Sequence, residues 1–513
     1  MKNIKTSKIF LACLLIFSAI VACNQFTAVP NSSSQPSASE APASGSTANT
    51  AVPTVVPVET AVEVSAGSSG LGDSLYLGFG NGGYDTLRYT LDITVNDVTT
   101  SDLTAIVTIE ANTTQNLGSF NLDFNGFEID ELTVNGEPAE FSRKGLELTI
   151  IPFKPLIEKE SFTVVIKYGG SPEEMQSVAL PVQTGWVKAG GRSFVMSEPD
   201  GSASFYPVND HPLDKAFYTF RVTVPKPYEV AANGQLTETT ENGDTTTFVF
   251  ELRDPMASYL ATINIDNFEI ETMESENGIL IRNYYSTSLP KSYREPFARQ
   301  GEMIDYFSEL YGPYPFEVYG SMVMDTEFGS ALENQTLSIY GTDMINFDDM
   351  EETERTVAHE LAHQWFGDSV SVADWNEIWL NEGFATYSEG LWIEHISGRD
   401  ALDEWIKLIY ADVAKFPEYY PPPGNPPADD LFNGGVYERG GLTLHALRLD
   451  VGDEIFFKIM KTYYDRYKGG NVITDDFLSV ANEVSGKDLA NLLDDWLYSE
   501  QLPSILELGL GAK

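Results

Sequence analysis

The chain has 513 residues, with 76 Asp and Glu against 31 Lys and Arg, giving a formal net charge of −45. So acidic a balance excludes nucleic acid as a default partner, because phosphate binding rests on clustered cations. With 42% hydrophobic and 12% aromatic residues, the chain can build real cores rather than an acidic disordered coil, and its length corresponds to about two to four domains. The only cysteines are Cys13 and Cys23, which rules out a disulfide framework or a cysteine metal site further along. Any histidine-based site must draw on His211, His359, His363, His395 and His445. Most of the carboxylates read as a solvated surface that keeps the protein soluble.

Lys2, Lys5 and Lys8 precede an apolar run from Ile9 to Ala22, too short to span a bilayer and suited to an export signal. The stretch IVAC, Ile20 to Cys23, resembles the lipobox of bacterial lipoproteins. That resemblance implies a signal peptide over 1–23, a lipid anchor on Cys23 and a place on the outer face of a bacterial cell membrane; without lipidation the expectation is secretion. Residues 24–70 are rich in Ser, Ala, Thr, Pro and Val without helical or strand period and read as a flexible tether.

From 71 to 268 strand signals dominate. Tyr89, Leu91, Ile93 and Val95 alternate with Thr90, Asp92 and Thr94, the period of a sheet with one buried face. FNLDF, LELTII, FTVVIKY, FYTFRVTV, TFVFEL and YLATINI follow, with turn signals at Asn135-Gly136 and Asn233-Gly234. An N-terminal all-β domain is expected here. From 269 to 513 one strand, ILIRNYY, leads into helical patterns over 297–310, 351–366 and 378–396 and on through EIFFKIMKTYYDRYK and LANLLDDWLY, broken by the loop YYPPPGNPP. The whole is a multi-domain α+β chain.

The stretch TVAHELAHQWFGDSVSVADWNEIWLNEGFATY carries the chemistry. His359 and His363 are four apart, so on a helix both imidazoles share one face and can share a cation. Asp348 and Asp349 are candidate caps for that helix, and Gly367 a stop. Glu382 follows His363 after 18 intervening residues and supplies a third ligand. Two His and one carboxylate leave a zinc position open, which is a hydrolytic rather than a structural arrangement. Glu360, beside the first ligand, is placed to act as general base and then proton donor. Apolar Val357, Leu361, Ala362, Trp365 and Phe366 make this a buried helix rather than a surface one with two idle histidines.

H-E-x-x-H with a Glu 18 residues on, set in WLNEGFA, resembles the aminopeptidase N and leukotriene hydrolase family of zinc peptidases, in a short two-domain form with a thermolysin-like catalytic domain. SALEN, Ser330 to Asn334, resembles the family's G-x-M-E-N motif, which implies that Glu333 binds the substrate α-amino group and places Ala331 at the substrate. VYERGG, Val436 to Gly441, resembles V-Y-E-K-G and implies Tyr437 as the oxyanion stabiliser. EPDGSASFYPVNDHP resembles E-P-x-x-A-R-x-x-F-P-C-x-D-x-P and implies a second ammonium contact from Glu198. Carboxylates beside the metal but not on it make a site for one positive charge, a ruler selecting the chain end.

Departures from the pattern are Ser330 for Gly, Leu332 for Met, Ala203 for Arg and Val208 for Cys. Longer relatives add a helical domain over the cleft, so with eight residues after Ile505 a more open cleft is expected unless a partner covers it. The implied activity is a zinc aminopeptidase, with one Zn2+ per chain, acting on peptides with a free N-terminus. A thermolysin-type endopeptidase and a catalytically silent peptide-binding module stay open as alternatives. His211, His395 and His445 are expected to be structural, while Asn381, Asp374 and Glu377 are candidates for orienting the ligands.

Overall fold

The computed structural model describes residues 63–511. The expected signal peptide, Cys23 and most of the expected tether lie outside the described residues.

The first part is built from sheets, with only short 3-10 turns at Ser202–Ser204 and Ser258–Leu260. Its largest sheet has eight strands, with Tyr84–Asp97 between Phe217–Pro225, to which it runs parallel, and Asp102–Thr113, to which it runs antiparallel. Tyr89, Leu91, Ile93 and Val95 are all buried and the intervening Thr90, Asp92 and Thr94 half-exposed, as alternation requires. Asn135 and Gly136, both at positive φ, close a hairpin between Glu128–Val134 and Glu137–Pro138. Asn233-Gly234 does something else. It passes the chain from the strand Glu229–Ala232 of a five-stranded sheet to Gln235–Asn242 of the eight-stranded one.

The expected tether ends sooner than composition suggests. Ser65–Ala66 pairs in parallel with Leu117–Asp123, Gly67 N–H donates to the Ser119 carbonyl at 2.9 Å, and the Gln115 amide donates to the Ala66 carbonyl at 3.0 Å. Main-chain bonding needs no apolar side chains, so Ser, Ala and Gly join the fold where composition alone reads as linker.

The second part opens with a sheet ordered Phe268–Glu274, Leu280–Ser286, Ser321–Val323, Ser338–Tyr340, Ala331–Leu332, with Val318–Tyr319 alongside. Sequence patterning anticipates only Leu280–Ser286: the four strands of two or three residues carry too little alternation to read, and the seven-residue Phe268–Glu274 falls across the expected domain boundary at 268. Eight α-helices follow among the described residues: α1 Gln300–Tyr311, α2 Met350–Ala362, α3 Trp379–Ser397, α4 Arg399–Lys415, α5 Gly440–Val451, α6 Asp453–Tyr467, α7 Thr474–Ser485 and α8 Ala490–Tyr498. α3 buries residues on every side over Trp379–Ser388, which makes it the central rod of this part. None of the described helices is long and apolar enough to cross a membrane.

Two devices join the parts. Phe194 and Met196 of the strand Ser193–Met196 pack with Tyr284, Met322, Leu332 and Ile339 in one apolar cluster. The segment before Tyr84 acts as a strap: Asp73, 2% exposed, accepts from Leu75, Tyr76 and Trp375 N–H at 2.9, 2.7 and 2.8 Å and from His211 Nε2 at 3.2 Å. Ser74 adds two bonds to Asp374 at 2.8 Å each. Burial pushes the Asp73 carboxyl up, but His211 and the backbone donors outweigh it and hold the group below its ordinary value. Its contribution to stability is therefore present at neutral pH and lost as pH falls through that low value. Asp73→Ala leaves four donors without their acceptor and is expected to lower unfolding free energy by about 3 kcal/mol at neutral pH. The deficit against the native chain should shrink in strong acid. Urea midpoints at constant slope, measured at neutral and acid pH, check both statements.

Candidate metal centre

α2 begins where Asp349 Oδ1 accepts from the Glu352 N–H at 3.1 Å, so of the two candidate aspartates Asp349 is the cap. His363 ends the helix, and the chain turns away through Gly367 at φ +135°, where a Cβ would lie 3.1 Å from His363 Nδ1. Glycine there lets the turn fold back onto the histidine.

His359 Nε2 and His363 Nε2 lie 3.3 and 3.5 Å from Glu382 Oε2, and the three ligand atoms fall within 4.8 Å of one another. All three residues are buried. Each imidazole is held from behind, His359 Nδ1 by Glu389 Oε1 at 2.9 Å and His363 Nδ1 by the Phe366 carbonyl at 3.1 Å. A proton donated from each Nδ1 to its acceptor leaves both Nε2 lone pairs facing the carboxylate. Three electron-pair donors converging in a dry place fit a cation, and their chemistry suits zinc. Electrostatics agrees. Burial works to lower both histidines, but Glu382 and Glu389 raise His359 well above its usual value, and Glu382 and Glu333 raise His363. Burial likewise opposes ionisation of Glu382, yet His363 and His359 bring it down to about 2.

Glu360 is 7% exposed, and burial lifts its carboxyl to about 7 against the pull of both histidines. Glu333 follows directly on the edge strand Ala331–Leu332, in which Ala331 is half-buried and paired with Tyr340. Glu198 follows the strand Ser193–Met196 of the first part. Glu333 and Glu198 are 2% and 9% exposed, each with an Oε1 that no donor of the described residues reaches. Burial raises the Glu198 carboxyl, with Glu333 as the strongest neighbouring charge on it. Burial also raises Glu333, which His363 partly offsets.

Tyr437 sits in a π-helical turn, Gly435–Arg439, with its ring stacked over His359 at 6.0 Å. The turn reaches the metal ligands because α3 and α5 touch backbone to backbone: a Cβ on Gly383 would lie 2.9 Å from Gly440 Cα, and one on Gly440 2.8 Å from Gly383 Cα. Two facing glycines therefore set Tyr437 beside Glu382.

The other three histidines stay structural: His211 bonds Asp73, His395 bonds Glu302 and stacks on Tyr306, and His445 bonds the Tyr387 hydroxyl. The candidates for orienting the ligands are elsewhere engaged. Asp374 caps its own turn, Glu377 accepts from Thr474, and Asn381 has no bond to a ligand. Glu389 holds His359 instead. It lies seven residues after Glu382, two turns along the same face of α3, a spacing that is visible in the sequence.

Residues 85–260 match the Peptidase M1 N-terminal domain, and residues 296–496 match the Peptidase family M1 domain. An M1 zinc metallopeptidase from Deinococcus radiodurans, crystallised as a mutant with a Tyr-Ser-Ala substrate, is 32% identical, superposes with a TM-score of 0.78, and is covered over 99% of its length by 85% of this chain. The chain belongs to peptidase family M1. Among curated relatives of this M1 chain, aminopeptidase M1-A of Oryza sativa subsp. japonica is 25% identical over 70% of the chain and 43% of its own length. Probable aminopeptidase 1 of Sulfurisphaera tokodaii is 24% identical over 75% of the chain and 50% of its own length. The chain thus spans about half the length of these two curated relatives.

Removing the acceptor behind His359 frees the ring to turn. Glu389→Ala is expected to weaken metal binding about ten- to a hundredfold. Competition against a chromogenic chelator measures it, and unchanged affinity would show that the ring needs no such support.

Proposed function

We propose that this M1 chain is a zinc-dependent aminopeptidase that removes N-terminal residues from peptides. The observation that carries the reading is the pairing of a three-ligand cluster with two buried carboxylates, Glu333 and Glu198, whose free oxygens bind no metal ligand and no protein donor. A substrate ammonium satisfies both oxygens and offsets the unfavourable burial of both charges. A blocked N-terminus does neither.

His359, His363 and Glu382 would hold the zinc ion, which when bound would supply Lewis acidity toward the scissile carbonyl and the attacking water. The Glu360 carboxylate takes a proton from that water and returns it to the departing amine nitrogen. Burial and the surrounding carboxylates hold the Tyr437 phenol well above its ordinary value, so it keeps its proton and donates it as a hydrogen bond to the developing oxyanion. Glu333 and Glu198 fix the first residue, so that the first peptide bond is the one presented. The curated relatives named aminopeptidase, and the related metallopeptidase crystallised with a tripeptide, support the same reading.

The assay compares a free-amino Leu or Ala peptide with its N-acetylated twin, using the native chain, a chelator-treated sample restored with Zn2+, and Glu360→Ala. Cleavage restricted to the free-amino peptide, abolished by chelation, regained with Zn2+ and reduced at least about a hundredfold in Glu360→Ala is expected. Cleavage of the acetylated twin at an equal rate identifies an endopeptidase, and no turnover with bound metal identifies a peptide-binding module.

The same proposal places the enzyme on the outer face of a bacterial membrane through Cys23. Cys23→Ser is expected to move the protein from the detergent phase to the aqueous phase on Triton X-114 partition. Equal partition of both forms removes the anchor.

A further inference from the structure

A chain-end ruler works only if its two marks stay a fixed distance apart. One side chain reaches the second mark from the residue beside the first. Gln364 follows His363 directly and is fully buried. Its Nε2 donates to the Glu333 carbonyl at 2.7 Å, and its Oε1 accepts from the Thr336 N–H at 2.8 Å. Tyr314 donates its hydroxyl to the same Oε1 at 3.4 Å. A single carboxamide on the metal-bearing segment therefore grips both ends of the four-residue stretch Glu333–Thr336.

The far side of that stretch is held by the first part of the chain. Asn233 Nδ2 donates to the Gln335 carbonyl at 2.8 Å, the Gly234 N–H to Thr336 Oγ1 at 2.7 Å, and Asn334 Nδ2 to the Leu260 carbonyl at 3.0 Å. Thr336 sits at φ +68°, a conformation that a β-branched residue holds only when its surroundings impose it. The stretch is also the connection between the paired strands Ala331–Leu332 and Ser338–Tyr340 of the second part. Gln364 is the side chain that bonds it directly to the segment carrying His363.

We propose that Gln364 is a positioning residue that sets the distance from the metal ligands to Glu333, and so makes the enzyme selective for the peptide end. This rests on Glu333 as the ammonium site. Length and polarity both matter: Met fills the same space without either bond, while Glu keeps an acceptor for Thr336 N–H but turns an acceptor toward the Glu333 carbonyl.

The test uses the full metal-loaded chain. KM and kcat are measured for a Leu peptide and for its des-amino twin, which carries a 4-methylpentanoyl group in place of the first residue. The native chain, Glu333→Ala, Gln364→Met and Gln364→Glu are compared, with metal content determined for each. The native chain is expected to prefer the free amine, and Glu333→Ala to lose that preference. Both Gln364 variants should keep one metal per chain and lose about ten- to a hundredfold of the preference, chiefly through KM for the amine substrate. No preference in the native chain overturns the ammonium reading, and this proposal with it. A native preference that disappears in Glu333→Ala but persists in both metal-loaded Gln364 variants overturns the positioning role alone. Loss of fold or metal in both Gln364 variants also overturns it, because the side chain then serves the fold and not the spacing.

Discussion

His359 Nε2, His363 Nε2 and Glu382 Oε2 point their electron pairs at one another from 3.3 and 3.5 Å in a buried place. Such a meeting is repulsive without a positive charge, and water cannot screen it. Much of the surrounding architecture serves to hold that meeting. Glu389 and the Phe366 carbonyl fix the rings from behind, the Gly367 turn clears the way for His363, and the buried rod α3 presents Glu382 and Glu389 from one face. Directly behind the ligands lies an aromatic core in which Trp365 packs on Phe307 and Phe366 on Phe384.

The same polarity extends outward. Glu198, Glu333 and Glu360 surround the ligands, and burial raises all three. Asp368 is buried as well, and burial and the charge of Glu333 raise its carboxyl too, with Lys215 partly offsetting them. Buried carboxylates grouped beside the ligands favour a positive charge brought in from solvent over a negative one.

The meeting of His359 and His363 was legible because a four-residue spacing on a helix dictates a shared face whatever the rest of the chain does, whereas Glu382 joins them from another helix at a separation that no period fixes. The β part was legible wherever strands run long enough to alternate, as at Tyr89 to Val95. The gaps have physical causes. Short strands such as Ala331–Leu332 show no period, and Ser65–Ala66 joins a sheet through main chain alone. Gln364 was invisible for a different reason: its partners are backbone atoms of a distant stretch, and a polar residue beside a ligand gives no sign of where its amide reaches. Asn381, Asp374 and Glu377 drew notice by nearness in sequence to Glu382, whereas Glu389 supports His359 by nearness in space. Glu198 and Tyr437 were found by likeness to a family and by no spacing rule, since each lies far in sequence from the histidines, on either side of them.

That dispersal bears on when the site can form. Glu198 leaves the ribosome first, the stretch Glu333–Thr336 and the two histidines much later, and Tyr437 near the close of synthesis. Glu333 is braced on one side by Asn233 and Gly234 and on the other by Gln364, and Tyr437 takes its place only when α5 lies against α3. Interruption of the chain anywhere between Glu198 and Tyr437 therefore separates at least one of these groups from the rest, and the site forms only when the whole of that span is folded as one piece.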